Sequence, residues 1–328
     1  MRYGKKRVRL TAVFAGLAIV ALGCGSDESS SGDGATTEPA AGGSDLSGAA
    51  FTVGSKEFTE QLIMGQITRL ALEDAGADVT DETGITGTVN VRKALTAGEI
   101  DMYWEYTGTG FGEILGNEIT EAPTDQQELY DTVAQMDLEK NNVQWAALAP
   151  VNNTYAIATS ASASEEFGVT SLSDYAGLVT SDPEASSLCA ASEFINRDDG
   201  LPGVAKAYGF GATEVPTTEV DLGIIFTQVP KGDPCNFGEV FATDGRIPAN
   251  DMLVLEDDKA FFPPYNLALT VNKDVYDPNA EALDAVFNPI AEKLTTDTLA
   301  TLNSQVDLDG LLPEEVAEMW LTDNGFIG

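Results

Sequence analysis

The longest apolar run near the start of the chain, Leu10 to Gly23, follows Arg2, Lys5, Lys6, Arg7 and Arg9 and ends in Ala21-Leu22-Gly23-Cys24. Fourteen residues is too short to span a bilayer. A basic head, an apolar middle and a small-residue end together form an export signal. Residues 1–23 are therefore expected to be removed, leaving Cys24 as a lipidated N-terminus. An ordinary secretory cleavage nearby, with Cys24 incidental, is the alternative. Residues 24–49 are mostly Gly, Ser, Ala, Thr and acids, a composition that buries little and serves as a flexible tether. Whatever follows must fold outside the cytoplasm, in a periplasm or on the outer face of a single-membrane cell, at most anchored by lipid. In that oxidising setting Cys189 and Cys235 are expected to form a disulfide, with two separate buried thiols as the alternative.

Charge narrows the function classes next. The chain carries 17 Lys+Arg against 53 Asp+Glu and no histidine. Five of the basic residues belong to the signal, which leaves a net charge of −41 beyond it. Such a field repels nucleic acid, whose binding rests on neutralising phosphates. Without histidine there is no Ser-His-Asp or Cys-His chemistry and no imidazole proton shuttle. The segment Gly108-Thr109-Gly110-Phe111-Gly112 lacks the register of a phosphate-binding loop. Asp198-Asp199 and Glu256-Asp257-Asp258 lack the spacing of a calcium loop and read as solvated turns. No cofactor, metal site or catalytic constellation is expected, so the chain is read as a non-enzyme.

At 43% hydrophobic residues the chain can build cores, and 328 residues suit two domains. Short β-type runs are expected at 50–54, 99–106, 154–159, 238–242, 252–255 and 266–271. Between and after them come amphipathic helical stretches: one from Thr59, with Thr59 as N-cap and Gly76 as stop, one over 89–95, and three at 281–294, 297–306 and 313–322. Alternation of this kind gives an α/β fold.

Four aromatics stand beside turn residues at strand ends: Tyr106, Tyr155, Phe241 and Tyr265. Taken singly, such rings are core packing; together they mark the places where α/β proteins hold ligands. Ring faces suit one cargo in particular. A quaternary ammonium cannot donate a hydrogen bond, so the aromatic quadrupole is its principal attraction, about 0.5–2 kcal/mol per contact.

These residues lie within a set of motifs. Gly54-Ser55-Lys56-Glu57-Phe58-Thr59-Glu60-Gln61 comes first, then Gly98-Glu99-Ile100-Asp101 running into Glu105-Tyr106-Thr107-Gly108-Thr109. Asn152-Asn153-Thr154-Tyr155-Ala156, Phe194-Ile195-Asn196-Arg197 with Asp199-Gly200-Leu201-Pro202-Gly203, Thr243-Asp244-Gly245-Arg246-Ile247 and Phe261-Phe262-Pro263-Pro264-Tyr265 follow in order. The set resembles the substrate-binding proteins of osmoprotectant ABC transporters, from Phe51 onward. The resemblance implies a two-lobed periplasmic-binding-protein type II fold, residues 50–156 and 262–328 forming one lobe and 157–261 the other, with a ligand cleft between. It implies capture of glycine betaine, choline, carnitine or a similar compound, delivery to a membrane permease, and a monomer. It places Tyr106, Tyr155 and Tyr265 at cage positions, and Phe241 where the family often has Tyr. Gln61 and Thr109 fall at positions that hold a carboxylate or hydroxyl of the ligand, with Asn153 as a further polar contact. Arg197 is expected to organise its own loop. The disulfide would lie wholly within the second lobe. Competing readings are a receptor for a polyamine or amino acid, an exported hydrolase, and a structural envelope lipoprotein.

Overall fold

The computed structural model describes residues 44–328, so the signal, Cys24 and the tether up to residue 43 lie outside the described residues. The domain starts earlier than composition predicts. Leu46 is buried and its N–H donates to Ala75 O, while Ala49 O accepts from Asp78 N–H, so 44–49 pack against the body of the protein.

Two five-stranded sheets form the frame. The first takes β1 (Ala50–Lys56), β2 (Asp78–Ile85), β3 (Met102–Tyr106) and β4 (Val143–Ala146). The second takes β5 (Tyr155–Ser160), β6 (Leu188–Ala190), β7 (Thr217–Glu219), β8 (Phe237–Phe241) and β9 (Met252–Val254). The chain then returns to the first sheet as β10 (Leu267–Asn272). Strand orders are β2-β1-β3-β10-β4 and β7-β6-β8-β5-β9. Each sheet has three parallel neighbours followed by an antiparallel pairing, and that antiparallel strand, β10 or β5, is where the chain has just crossed over. The two sheets thus share one plan. No sequence repeat reveals it, because strand order is set by pairing and not by composition.

The crossings join the lobes at 147–154 and 255–266, and they hold each other. Asn153 N–H donates to Tyr265 O (3.0 Å), Tyr265 N–H to Asn152 Oδ1 (2.7 Å) and Asn266 Nδ2 to Val151 O (2.7 Å). β5 opens at Tyr155, which pairs with Phe241, so Tyr155 and Ala156 belong to the second sheet and not to the first lobe as expected.

Helices cover both sheets. α1 (Thr59–Asp74) packs Ile63, Met64, Ile67 and Leu72 against the first sheet. Its N-cap is Phe58, and Thr59 donates instead to Asp307 Oδ1 (2.7 Å), so Thr59 ties α1 to the C-terminal helices rather than capping it. Gly76, at φ +93°, does end the segment. The C-terminal helices span Lys273–Lys293, Thr296–Asp307 and Pro313–Asp323, the first beginning eight residues ahead of its expected start. Cys189 in β6 is disulfide-bonded to Cys235, both within the second lobe's span. Among the described residues no helix is long and apolar enough to cross a membrane.

Candidate functional site

Side chains from both sheets and both crossings converge where the lobes meet. Tyr106 ends β3, Tyr155 begins β5, Phe241 ends β8 and Tyr265 lies just ahead of β10, so all four rings stand at strand ends. Tyr155 is central. Its ring centroid is 5.1 Å from Phe241, 5.8 Å from Tyr265 and 5.3 Å from Phe194, the Tyr265 pair being nearly perpendicular. Phe58 bridges to the first lobe, 5.2 Å from Phe241 and 6.3 Å from Tyr106. Phe58 and Phe194 were not expected as site residues, although both lie inside quoted motifs.

Glycine makes one approach possible. A Cβ on Gly108 would fall 2.7–2.9 Å from three ring atoms of Tyr265, so only glycine lets that ring lie against the turn after β3.

Beneath the rings lies Glu60, the residue that sequence reasoning passed over. Its side chain is buried and accepts four hydrogen bonds: from Tyr106 Oη (2.7 Å), Asn153 Nδ2 (2.8 Å), Thr243 Oγ1 (2.6 Å) and Asn303 Nδ2 (3.1 Å). Those donors come from the first lobe, a crossing, the second lobe and a C-terminal helix. Burial raises the carboxyl's pKa and the four donors oppose that rise. A helix-favouring Glu in a first turn gives no hint of this role in sequence.

The predicted polar residues have definite partners. Gln61 accepts from Lys56 N–H (3.3 Å) and donates to Tyr106 Oη (3.2 Å). Lys56 is salt-bridged to Glu105 (2.7 Å), with Nζ 5.3 Å from the Tyr106 ring centroid. Arg197 donates to both oxygens of Asp199 (2.8 and 2.6 Å) and to Thr109 Oγ1 (3.3 Å), with its guanidinium 5.5 Å from the Tyr155 ring. It thus reaches across to the first lobe, beyond its own loop. Asp199 is buried and also accepts from Tyr265 Oη (2.8 Å), so it is not the solvated turn expected. Asp257 likewise caps the backbone N–H groups of Phe261 and Phe262.

Further bonds cross between the lobes. Glu193 accepts from Thr88 N–H (2.5 Å) at the start of the helix Thr88–Ala97, and its pKa is lowered: burial pushes it up, but Lys56, Thr88 and Arg197 prevail. Arg246, paired with Asp244 of its own lobe (2.6 Å), reaches Asp307 of the first lobe (3.2 Å).

An open cleft of about 1150 Å³ runs between the lobes. Phe58, Glu60, Asn153, Arg197, Phe241 and Asn303 line it; Tyr106, Tyr155, Tyr265, Gln61 and Thr109 lie behind them, buried. The arrangement can desolvate a small ligand against ring faces and hold it between two bodies that share a narrow junction.

Residues 50–323 match the family model for the substrate binding domain of ABC-type glycine betaine transport systems. The chain is 36% identical over 277 residues to the glycine-betaine-binding protein of Pseudomonas aeruginosa, covering 83% of this chain and 87% of that one. It is 32% identical over 281 residues to the glycine betaine-binding protein YehZ of Escherichia coli, covering 84% and 90%. The solved apo form of YehZ superposes with a TM-score of 0.62, covering 84% of this chain and 99% of that one, at 30% identity. A solved glycine betaine/carnitine/choline ABC transporter protein gives a TM-score of 0.65 over 84% and 99% at 23% identity, a likeness of fold.

Proposed function

The chain belongs to the family of substrate-binding domains of ABC-type glycine betaine transport systems, and from that membership we propose that its cleft captures a quaternary-ammonium solute such as glycine betaine, choline or carnitine. The family consists of solute-binding proteins and not enzymes. The observation that carries the reading is the gathering of Phe58, Tyr106, Tyr155, Phe241 and Tyr265 from both lobes at one junction. In this reading the ammonium sits against those rings, worth about 0.5–2 kcal/mol each, and Glu60 fixes Tyr106 and Asn153 beneath it.

The lobes, residues 44–154 with 262–328 and residues 155–261, close by hinging at the two crossings, and a membrane permease reads the closed form. Residues 1–23 direct export, Cys24 carries lipid, and residues 25–43 tether a monomer outside the cytoplasm. The test is calorimetric titration of the purified protein with glycine betaine, choline and carnitine. Saturable heat with at least one, together with a rise in melting temperature, is expected. No heat and no thermal shift at millimolar concentrations of all three contradicts the proposal.

A further inference from the structure

The turn after β8 meets the first lobe through backbone as well as through side-chain ends. β8 closes on Phe241, and the turn that follows, 243–246, lies against the helix Thr296–Asp307. Thr243 Oγ1 donates to Glu60 Oε2 (2.6 Å), and Thr243 O accepts from Asn303 Nδ2 (3.1 Å). Arg246 donates to both oxygens of Asp244 (2.9 and 2.6 Å), which fixes the turn within its own lobe. From there it reaches Asp307 at the end of the helix (3.2 Å).

Gly245 marks how close that meeting is. A Cβ there would fall 2.7 Å from Ser304 Cβ and 2.9 Å from Ala300 O, both on the helix Thr296–Asp307. Its own backbone does not call for glycine: φ −65° and ψ −15° lie in the right-handed helical region, where alanine is comfortable. The nearest obstacles to a side chain at 245 therefore belong to the opposite lobe, and they exist only while the two are docked. A contact with a helix backbone cannot be relieved by turning a side chain. The bonds of Thr88 to Glu193 and Arg197 to Thr109, in contrast, run through side chains that can rotate away.

From these observations, and resting on the function proposed above, we infer that turn 243–246 is the latch that holds the cleft closed, with Gly245 as a positioning residue for capture. Gly245 touches no ligand; its lack of a side chain lets the second lobe seat on the helix. Because Phe241 lies just ahead of the turn, a solute drawn against that ring carries the turn onto the helix in the same movement. Apparent affinity scales with the closed population, so a poorly seated latch weakens capture without altering the cage.

Gly245→Ala keeps every ring and polar group of the cleft and adds one methyl group facing the helix. Small-angle X-ray scattering of the purified, unliganded variant is expected to give a larger radius of gyration than the native protein, with native circular dichroism retained. Calorimetric titration with glycine betaine, choline and carnitine is expected to show about ten-fold weaker binding of each solute that the native protein binds. Ser304→Gly removes the nearest obstacle from the other lobe, so adding it to Gly245→Ala should recover part of both effects. A defect internal to the second lobe gives no such recovery. A Gly245→Ala variant as compact as the native protein overturns the latch, whatever its affinity, and so does a double variant no better than the single one. A larger radius with unchanged affinity overturns the role in capture. Loss of native circular dichroism also counts against the inference, since an obstacle present only in the docked state cannot unfold a lobe. If none of the three solutes binds the native protein, the function proposed above fails, and scattering from the unliganded variants still decides the latch.

Discussion

Single side chains decide the chemistry of this cleft, and two of them carry predictions. Tyr155 lies against four other aromatic rings and the Arg197 guanidinium, so the proposed cage depends on it most. Tyr155→Ala and Tyr106→Ala are each expected to weaken ligand binding by about ten-fold or more with native circular dichroism retained. Unchanged affinity in both places the ligand elsewhere. Glu239 is fully buried in β8, and burial, only partly offset by the Ala191 N–H it accepts, pushes its pKa up to about 8. A carboxyl whose folded pKa exceeds its unfolded value costs stability once the unfolded state ionises. The loss builds from about pH 4.5 to about pH 8 and is constant above that. Glu239→Gln keeps the acceptor for Ala191, so its melting temperature should match the native protein near pH 4 and exceed it at pH 8. A gap that does not grow with pH refutes the assignment. The strand-end placement of Tyr106, Tyr155 and Tyr265 was legible in sequence, because an aromatic beside Gly, Asn or Pro is a visible pattern. Glu60 was not, since a first-turn acid reads as ordinary helix chemistry until four donors from distant segments are seen to meet on it.

At the level of elements, the strands that order the site were the readable ones. β3, β5, β8, β9 and β10 are mostly apolar or aromatic, and each falls within a few residues of its expected place. β2 (Asp-Val-Thr-Asp-Glu-Thr-Gly-Ile) escaped notice because it is an edge strand rich in acids, and edge strands need no apolar alternation. The helix Lys273–Lys293 begins eight residues before its expected start and carries Pro278 and Pro289 inside it, each of which lacks the N–H for an i→i−4 bond. The short helical turn after β3 is the element most exposed to a test. Gly108→Ala places a Cβ inside the Tyr265 ring's contact distance, so that ring and its bond to Asp199 must shift. Ligand affinity should fall by about ten-fold while melting changes little by comparison. A variant that binds as tightly as the native protein shows that Tyr265 does not face the cargo.

On the scale of the whole molecule, two sheets of one plan joined by two hydrogen-bonded crossings form a pair of bodies with a narrow junction, and the rings sit at that junction. The bonds from Thr88 to Glu193, Arg197 to Thr109 and Thr243 to Glu60 connect the two bodies across the cleft. The two-lobed plan was legible only through the family resemblance that the motifs carry; the matched plan of the two sheets was not, since pairing between β10 and β3 joins residues more than 150 apart in sequence. The most direct measurement is a crystal structure of the protein with a bound quaternary ammonium. The methylated nitrogen is expected within about 6 Å of ring centroids contributed by both lobes, Tyr155 and Tyr106 among them. A ligand bound away from those rings, or held by one lobe alone, would contradict it.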